Sequence, residues 1–181
     1  NGLFIKPVSL GNIKSGAASV KMIEMPQIDG QLTASECEIR IENSETTKIK
    51  YYQGMYGYYA DSYRPIYYFT DEKNKKEFAE GTIKSMFSND IKIENMVVNN
   101  FNIDNPVEFN KPFEIRADVS STALIEKANE TLLLKIGETI GPQEQMYNEK
   151  PRAYPIELSF PHQYKRKIIL HIPQGYKLKG A

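Results

Sequence analysis

The amino-acid sequence predicts a mostly β fold of the α+β class, with an antiparallel β-sandwich in the C-terminal part and antiparallel strands with one packed helix before it. Beyond residue 90, runs of alternating apolar and polar residues are separated by turn-forming Asn-Pro, Lys-Pro and Gly-Pro pairs, a spacing typical of sandwiches. One longer segment, 72–87, shows the apolar spacing of a helix instead. Near the C-terminus, 156–160 and 164–172 alternate between prolines and predict two paired strands that close the fold.

The N-terminal quarter of the chain predicts a hairpin followed by one clear strand. Pro7 interrupts the first apolar run at 3–8, and the Asp-Gly pair at 29–30 supplies the positive φ that a tight hairpin turn requires. Residues 36–42 alternate strictly, which predicts a strand with one buried face, and 48–52 form a second run. The buried face of the first strand would carry Cys37, Ile39 and Ile41.

Tyrosine is concentrated in one segment, because residues 51–69 hold eight of the twelve tyrosines in the chain. Tyr59 and Tyr63 have the spacing of a helical face, whereas two glycines and Pro65 argue against an uninterrupted helix. We therefore expect a short irregular helix or a loop in this segment.

A helix is better supported at 72–87, where Thr70 or Asp71 can cap the first turn. Gly81 inside it costs up to about 1 kcal/mol relative to alanine, so tertiary packing has to hold the helix in place. Its buried side would consist of Phe78, Ile83, Met86 and Phe87.

From residue 90 onward the apolar residues recur with a period of two. The pattern predicts short strands at 91–94, 107–109, 113–119, 131–136, 156–160 and 164–172. The change of period near 88–90 divides the chain into a β-rich part with the tyrosine-rich segment and one helix, 1–88, and a β-sandwich, 89–181. A single continuous domain is the alternative.

The composition argues against several classes of function. Lysine and arginine number 23 and aspartate and glutamate 23, so no net field attracts nucleic acid, and no nucleic-acid partner is expected. No apolar run approaches the roughly 20 residues of a membrane helix, so no membrane span is predicted. A lone cysteine, Cys37, cannot form an internal disulfide. Because the first residues already have strand character, we expect the chain to be a fragment of a longer protein.

Nucleophilic catalysis by Cys37 would need a base and a group that orients the base. His162 and His171 could serve as bases, but no carboxylate follows Glu157, and Cys37 lies on the apolar face of its predicted strand. A buried, inert thiol is therefore expected, and no catalytic residue is assigned. Two histidines without a metal-binding spacing, and an asparagine-rich stretch at 95–110 without the acidic pattern of a calcium loop, predict no metal site and no cofactor.

The tyrosine-rich segment holds the strongest candidate for a binding site. Tyrosine rings combine flat apolar faces with a polar edge, which suits stacking on a glycan or anchoring a peptide. The alternative is that the rings fill the groove between helix and sheet, with each hydroxyl paired to a backbone acceptor. The candidate ligand-binding residues are Tyr56, Tyr58, Tyr59, Tyr63, Tyr67 and Tyr68.

Four short motifs occur in an order that resembles a known family. They are Ile-Asp-Gly-Gln-Leu at 28–32, Gly-Tyr-Tyr-Ala-Asp-Ser-Tyr-Arg at 57–64, Arg-Ala-Tyr-Pro-Ile-Glu-Leu at 152–158 and Ile-Pro-Gln-Gly-Tyr at 172–176. Together they resemble the C-terminal accessory region, of unknown function, of bacterial transglutaminase-like proteins. The resemblance covers nearly the whole chain and rests on strand and turn patterns.

In that family a catalytic Cys-His-Asp set belongs to a preceding papain-like core, and Cys37 lacks the helix-start setting of that nucleophile. The resemblance therefore implies a non-catalytic accessory β-sandwich region of an exported transglutaminase-like or protease-like protein. The region would pack on the catalytic domain of the same parent chain or assist substrate binding, in the periplasm or at the cell surface. A carbohydrate- or peptide-binding module that uses the tyrosines is the alternative.

Overall fold

A computed structural model describes residues 2–22, 31–87, 91–142, 147, 149–151 and 160–179. It confirms the predicted class, a mostly β fold with helices. The strands are β1 (Gly2–Leu10), β2 (Ile13–Lys21), β3 (Leu32–Ile41), β4 (Thr47–Met55), β5 (Lys92–Asn99), β6 (Phe113–Ser121), β7 (Ile125–Ala128), β8 (Thr131–Leu134) and β9 (Gln163–His171). The helices are α1 (Tyr58–Phe69), α2 (Glu72–Lys84) and α3 (Pro106–Phe109), and a 3-10 helix spans Ile136–Thr139.

A central five-stranded sheet, in the order β5-β6-β4-β3-β9, organises the fold. Neighbouring strands run antiparallel except β9, which is parallel to β3. Strands from 1–88 and from 89–181 thus share one sheet.

The C-terminal strands do not form the separate sandwich that the sequence suggests, as far as the described ranges extend. Helices α1 and α2, rather than a second sheet, cover the buried face of the central sheet: Tyr63 of α1 packs on Phe113, and Phe87, just after α2, packs on Tyr51. A period of two shows only that one face of a strand is buried, and not whether a helix or another sheet buries it.

The apolar core lies between these helices and the sheet. Cys37 and Ile39 of β3 are buried as predicted, and Ile41 at the end of the strand is half-buried. The other members of the core that are fully or almost fully buried are Ile49, Tyr51, Met55, Ala60, Ile83, Phe87, Phe113, Ile115, Ala117, Val119 and Leu124. The phenol of Tyr51 remains satisfied in this core because its hydroxyl donates a hydrogen bond to Gln53 Oε1 at 2.9 Å.

The last strand joins the sheet in a way that the sequence does not show. The predicted pairing of 164–172 with 156–160 cannot be followed, because 156–159 lie outside the described residues. Instead β9 pairs with β3, with Cys37 opposite Ile168 and Ile39 opposite Leu170. Parallel strands need a long connection, and here the chain between β3 and β9 forms strands β4 to β8 and the helices.

The chain begins with a hairpin that the sequence analysis did not predict. β1 and β2 pair through nine residue pairs around Gly11 and Asn12, and the predicted turn at 29–30 lies outside the described residues. Gly11 has a φ of 56°, as the first loop residue of a type II′ turn requires. Pro7 does not break β1. Hydrogen-bonded and non-hydrogen-bonded pairs alternate from the turn, starting with the bonded pair Leu10–Ile13, so Pro7 and Gly16 form a non-hydrogen-bonded pair and no N–H is needed at Pro7.

The helices show where local signals succeed and fail. α2 begins as predicted, since the Asp71 carboxylate accepts a hydrogen bond from the backbone N–H of Asn74 at 3.0 Å, but it ends at Lys84. The predicted strand at 107–109 is wrong: these residues belong to α3, because Asn105 caps the segment and Pro106 has the φ of a first helical turn.

Helix α1 is more regular than its sequence suggests. It continues through Pro65, although proline removes a helical hydrogen bond. Tertiary packing of α1 offsets that loss. Its residues Ala60 and Arg64 are buried, and the ring of its Tyr67 contacts that of Phe113 with the centroids 5.8 Å apart.

Candidate functional site

The predicted tyrosines divide into groups with different surroundings. Tyr63 and Tyr67, one helical turn apart on α1, point toward the sheet. The centroid of the Tyr63 ring lies 5.8 Å from that of Phe78 of α2, and Tyr67 meets Phe101 edge to face at 5.1 Å. These two rings therefore hold the helix pair on the sheet, as the packing alternative for the tyrosines predicts.

Tyr68 and Tyr56 lie apart from that group. The Tyr68 hydroxyl donates to Asp104 Oδ2 at 2.5 Å, and this hydrogen bond raises the pKa of the phenol. Tyr56 follows β4, and its ring and the Tyr52 hydroxyl both lie over Gly54, where a side chain would collide with them. Each of these rings thus has a local structural contact.

Tyr58 and Tyr59, at the start of α1, belong to an aromatic cluster that the sequence did not predict. The aromatic cluster consists of Tyr58, Tyr59, Phe160, His162 and Tyr164. The rings of Phe160 and His162 are 4.6 Å apart, and the Tyr59 hydroxyl donates to the Tyr164 hydroxyl at 3.0 Å. The i, i+2, i+4 spacing of its last three members, which places them on one face of an extended segment, is the signal that could have revealed them.

Cys37 is far from the setting of a nucleophile. Its side chain is buried, its Sγ lies 3.8 Å from the Thr139 carbonyl oxygen, and burial raises the pKa of the thiol to about 12. His171 is on the opposite face of the sheet, where its Nε2 lies 2.8 Å from Glu38 Oε1, and His162 is in the aromatic cluster. The structure therefore does not bring the thiol together with either imidazole.

Within 2–22, 31–87, 91–142, 147, 149–151 and 160–179, no three His, Cys, Asp or Glu side chains are grouped to hold a metal ion. In the same ranges, no helix has both the length and the apolar character needed to cross a bilayer.

The face of the central sheet opposite the helices carries charged residues of both signs. Lys167 Nζ is 3.1 Å from Glu36 Oε2 across the β3–β9 pair, and Arg40 contacts Glu38 at 2.7 Å. Exposed pairs of this kind contribute at most about 1 kcal/mol each. Because both signs are interspersed, these residues keep the face hydrated and do not create an electrostatic field of one sign.

Arg64 is the one buried cation among the described residues, with 1% of its surface exposed. Its Nε donates to the Asn100 carbonyl at 2.8 Å, a second guanidinium nitrogen donates to the Lys111 carbonyl, and the group stacks 5.1 Å from the centroid of Phe109. Burial lowers the pKa of the guanidinium, while the charges of Asp61 and Glu108 oppose that shift. With its donors used in this way, Arg64 fixes the β5–β6 connection to α1.

The β1–β2 hairpin, called the projecting hairpin below, exposes one apolar face. This hairpin face consists of Leu3, Ile5 and Pro7 of β1 with Gly16, Ala18 and Val20 of β2. Leu3, Ile5 and Val20 are 65%, 67% and 69% exposed. The hairpin forms its own two-stranded sheet and is not a part of the central one.

A groove of about 680 Å³ lies near the C-terminal end of β9. This C-terminal groove runs between the β7–β8 hairpin and the segment 172–179. Its apolar lining consists of Ile41, Leu132, Leu133, Leu134, Ile136, Leu170, Ile172, Pro173, Tyr176 and Leu178. Neither this groove nor the projecting hairpin was predicted as a site, because each depends on which apolar residues the fold leaves uncovered.

Comparisons of the chain with protein-family models, with curated proteins and with solved structures find no match.

Proposed function

We propose that the chain is a non-catalytic accessory module of an exported transglutaminase-like or protease-like protein, and that it binds the catalytic domain of the same parent chain through the projecting hairpin. The observation that supports this function is the apolar hairpin face, where three cross-strand pairs, six residues in all, carry no polar side chain and are all exposed. The resemblance to accessory regions of transglutaminase-like proteins supplies the partner.

A hairpin of this kind needs a covering surface. A two-stranded hairpin alone is marginally stable in water, and contiguous exposed apolar patches are typical of protein interfaces. Covering Leu3, Ile5 and Val20 would stabilise the complex by about 1.5–3 kcal/mol for each side chain that becomes fully buried. The Ile5 side chain lies over Gly16, where its Cγ2 is 3.1 Å from the position that a Cβ would take, so the bulk of this face comes from Leu3, Ile5 and Val20.

The opposite face of the hairpin is different in character. Phe4 there lies under Lys21, whose Nζ is 5.6 Å from the ring centroid, and Lys6 and Ser19 are exposed beside them. One apolar and one mixed face imply that a partner covers one side of the ribbon only.

The proposal is tested with the catalytic domain that it places in the same parent chain, produced separately and titrated with the 181-residue chain by calorimetry. Ile5→Glu places a charge on the apolar hairpin face and should weaken binding more than tenfold, because an unpaired charge would be buried. Phe4→Glu, the matched control on the mixed face, should change affinity much less. Circular dichroism confirms that both variants keep their strands.

Three outcomes would contradict the proposal. The upstream reading frame could encode no transglutaminase-like core, the two variants could bind equally well, or the chain could pair with itself. Sedimentation velocity of the 181-residue chain detects self-association through the same face, which would assign the hairpin to a dimer instead.

A glycan- or peptide-binding function of the tyrosines is the second candidate, now centred on the aromatic cluster. Tyr58 and Tyr164 are 45% and 50% exposed, so part of each ring remains accessible to a ligand. Titration of tyrosine fluorescence with oligosaccharides tests this function. A response that is lost in Tyr164→Ala and kept in Tyr68→Phe would support it, whereas no response at millimolar sugar would exclude it.

A further inference from the structure

The C-terminal groove has the lining of a binding site. Its volume of about 680 Å³ falls within the range of ligand pockets, roughly 300–1,000 Å³, and most of its lining is apolar. Leu133, Ile172 and Leu178 in its walls are about half exposed or more, so the groove is open along its length. An open apolar groove of this kind suits an elongated ligand that lies along the surface.

Strand β8 forms one wall of the groove, and among the described residues its outer edge pairs with no other strand. All four residues of β8 line the groove. The β7–β8 turn has two residues, so Ala128 and Thr131 are the first hydrogen-bonded pair, and the backbone groups of Leu132 and Leu134 point away from β7. The bond from Lys135 N–H to the Leu124 carbonyl, at 2.9 Å, continues this alternation. Strand β8 therefore offers the groove an outer edge that can accept another strand.

The charges around the groove are mostly positive. Lys127, Lys177 and Lys179 line it, against a single acidic residue, Glu130. None of the three lysines forms an ion pair with any residue in the described part of the chain. A ligand that carries negative charge beside its apolar groups complements this arrangement.

We propose that the C-terminal groove binds an extended peptide segment, with alternating apolar and acidic residues, as an added strand on the outer edge of β8. Apolar side chains on one side of the peptide would enter the leucine- and isoleucine-lined floor, since side chains of a strand alternate. Acidic side chains on the other side would face the lysines. Backbone hydrogen bonds to Leu132 and Leu134 give affinity, and the charges give selectivity.

An extended peptide fits these observations better than an acyl chain does. A fatty acid gains its affinity from enclosure of most of its surface, whereas the walls of this groove are open. An acyl chain also makes no use of the backbone groups of Leu132 and Leu134, which point away from β7. The site is independent of the projecting hairpin, which belongs to another sheet.

The probe is a set of fluorescein-labelled heptapeptides in which glutamate alternates with valine, isoleucine or leucine. Fluorescence anisotropy measures their binding to the 181-residue chain. The matched peptides carry lysine in place of glutamate. The variant Lys177→Glu/Lys179→Glu changes the groove, and Lys6→Glu/Lys14→Glu, in the projecting hairpin, changes the net charge equally and serves as control.

The acidic peptides should bind and the basic ones should not. The groove variant should weaken binding by about tenfold, because two exposed ion pairs become repulsions, and the hairpin control should not. Hydrogen exchange should show the amides of Leu132 and Leu134 protected by the acidic peptide. Three results would overturn the proposal. They are equal binding of acidic and basic peptides, no binding at peptide concentrations up to about 1 mM, and unchanged hydrogen exchange of the β8 amides. Tight binding of dodecanoate without any peptide binding would assign the groove to a lipid instead.

Discussion

Arg64→Ala should destabilise the fold strongly, because Arg64 is a buried cation that bonds two backbone carbonyls. The side chain is 1% exposed, its Nε lies 2.8 Å from the Asn100 oxygen, and it also donates to the Lys111 oxygen. These carbonyls lie before and after α3, so one guanidinium ties both ends of the β5–β6 connection to α1. Without it, both carbonyls would lose a charged hydrogen-bond donor in a part-buried site.

The size of the effect follows from these contacts. Hydrogen bonds to charged groups are worth about 1.5–3 kcal/mol each, and Arg64 makes two of them to backbone carbonyls, so we expect a loss of about 3–6 kcal/mol. Asp61, 3.7 Å away, contributes little because its carboxylate is 48% exposed. Stacking on Phe109 adds a smaller loss.

Urea unfolding followed by far-UV circular dichroism measures the effect as a change in the free energy of unfolding. Arg64→Lys keeps the charge but cannot reproduce the fork of donors, so it should lie between wild type and Arg64→Ala. Arg116→Ala is the matched control, because its side chain is 55% exposed and its pair with Glu114 should be worth at most about 1 kcal/mol. A loss below about 1 kcal/mol for Arg64→Ala, equal to that of Arg116→Ala, would refute this reasoning.

Three other predictions concern a thiol in the core, two glycines, and the loss of stability at low pH. Burial raises the pKa of the Cys37 thiol to about 12, so in the folded chain it should react with iodoacetamide at pH 8 on the order of a thousandfold more slowly than a free thiol. In urea it should react at the ordinary rate. Mass spectrometry measures both rates, and rapid reaction of the folded chain would contradict the burial of Cys37. Gly141→Ala should lower the free energy of unfolding in urea by about 1–2 kcal/mol, because Gly141 has a φ of +76°. Gly81→Ala, in open space on α2, should raise it by up to about 1 kcal/mol, and the opposite order of the two variants would be inconsistent with the backbone geometry. The hydrogen bond from Arg40 lowers the pKa of Glu38, so the contribution of this pair to stability is complete above the ordinary glutamate pKa and disappears as pH falls through the lowered value. Glu38→Gln should flatten this loss in unfolding curves measured from about pH 5, just above the ordinary glutamate pKa, downward, and an unchanged slope would argue against the pair.

The parts of the fold that sequence patterns predicted are those fixed by near neighbours in the chain. The Asp71 cap of α2 acts within one turn, and the alternation around Cys37 and Ile39 needs only the pleat of one strand. The same local rules misjudged α1 and α3. In α1 the helix penalty of Pro65 is outweighed by packing with distant rings, and in α3 a three-residue alternation is too short to separate a strand from a capped helical turn.

The unpredicted features depend on contacts between residues far apart in the chain. The parallel pairing of β9 with β3 joins residues about 130 positions apart, and no feature of either strand specifies the direction of its partner. The aromatic cluster has the same origin, because Phe160 and His162 reach Tyr59 only once β9 has joined the sheet. The candidate tyrosines thus divide according to which strand or helix lies beside each one, and this is a property of the assembled fold.

The groups best suited to chemistry and the surfaces best suited to binding lie in different parts of the fold. The thiol of Cys37 is in the central sheet, where the same burial that stabilises the core suppresses its ionisation. The hairpin face and one wall of the C-terminal groove lie on the two small two-stranded sheets, β1–β2 and β7–β8. Substitutions on those ribbons should therefore alter binding with little change in the unfolding of the central sheet, and their effects on the two surfaces should be additive. A chain built in this way can change its partners while its core stays the same.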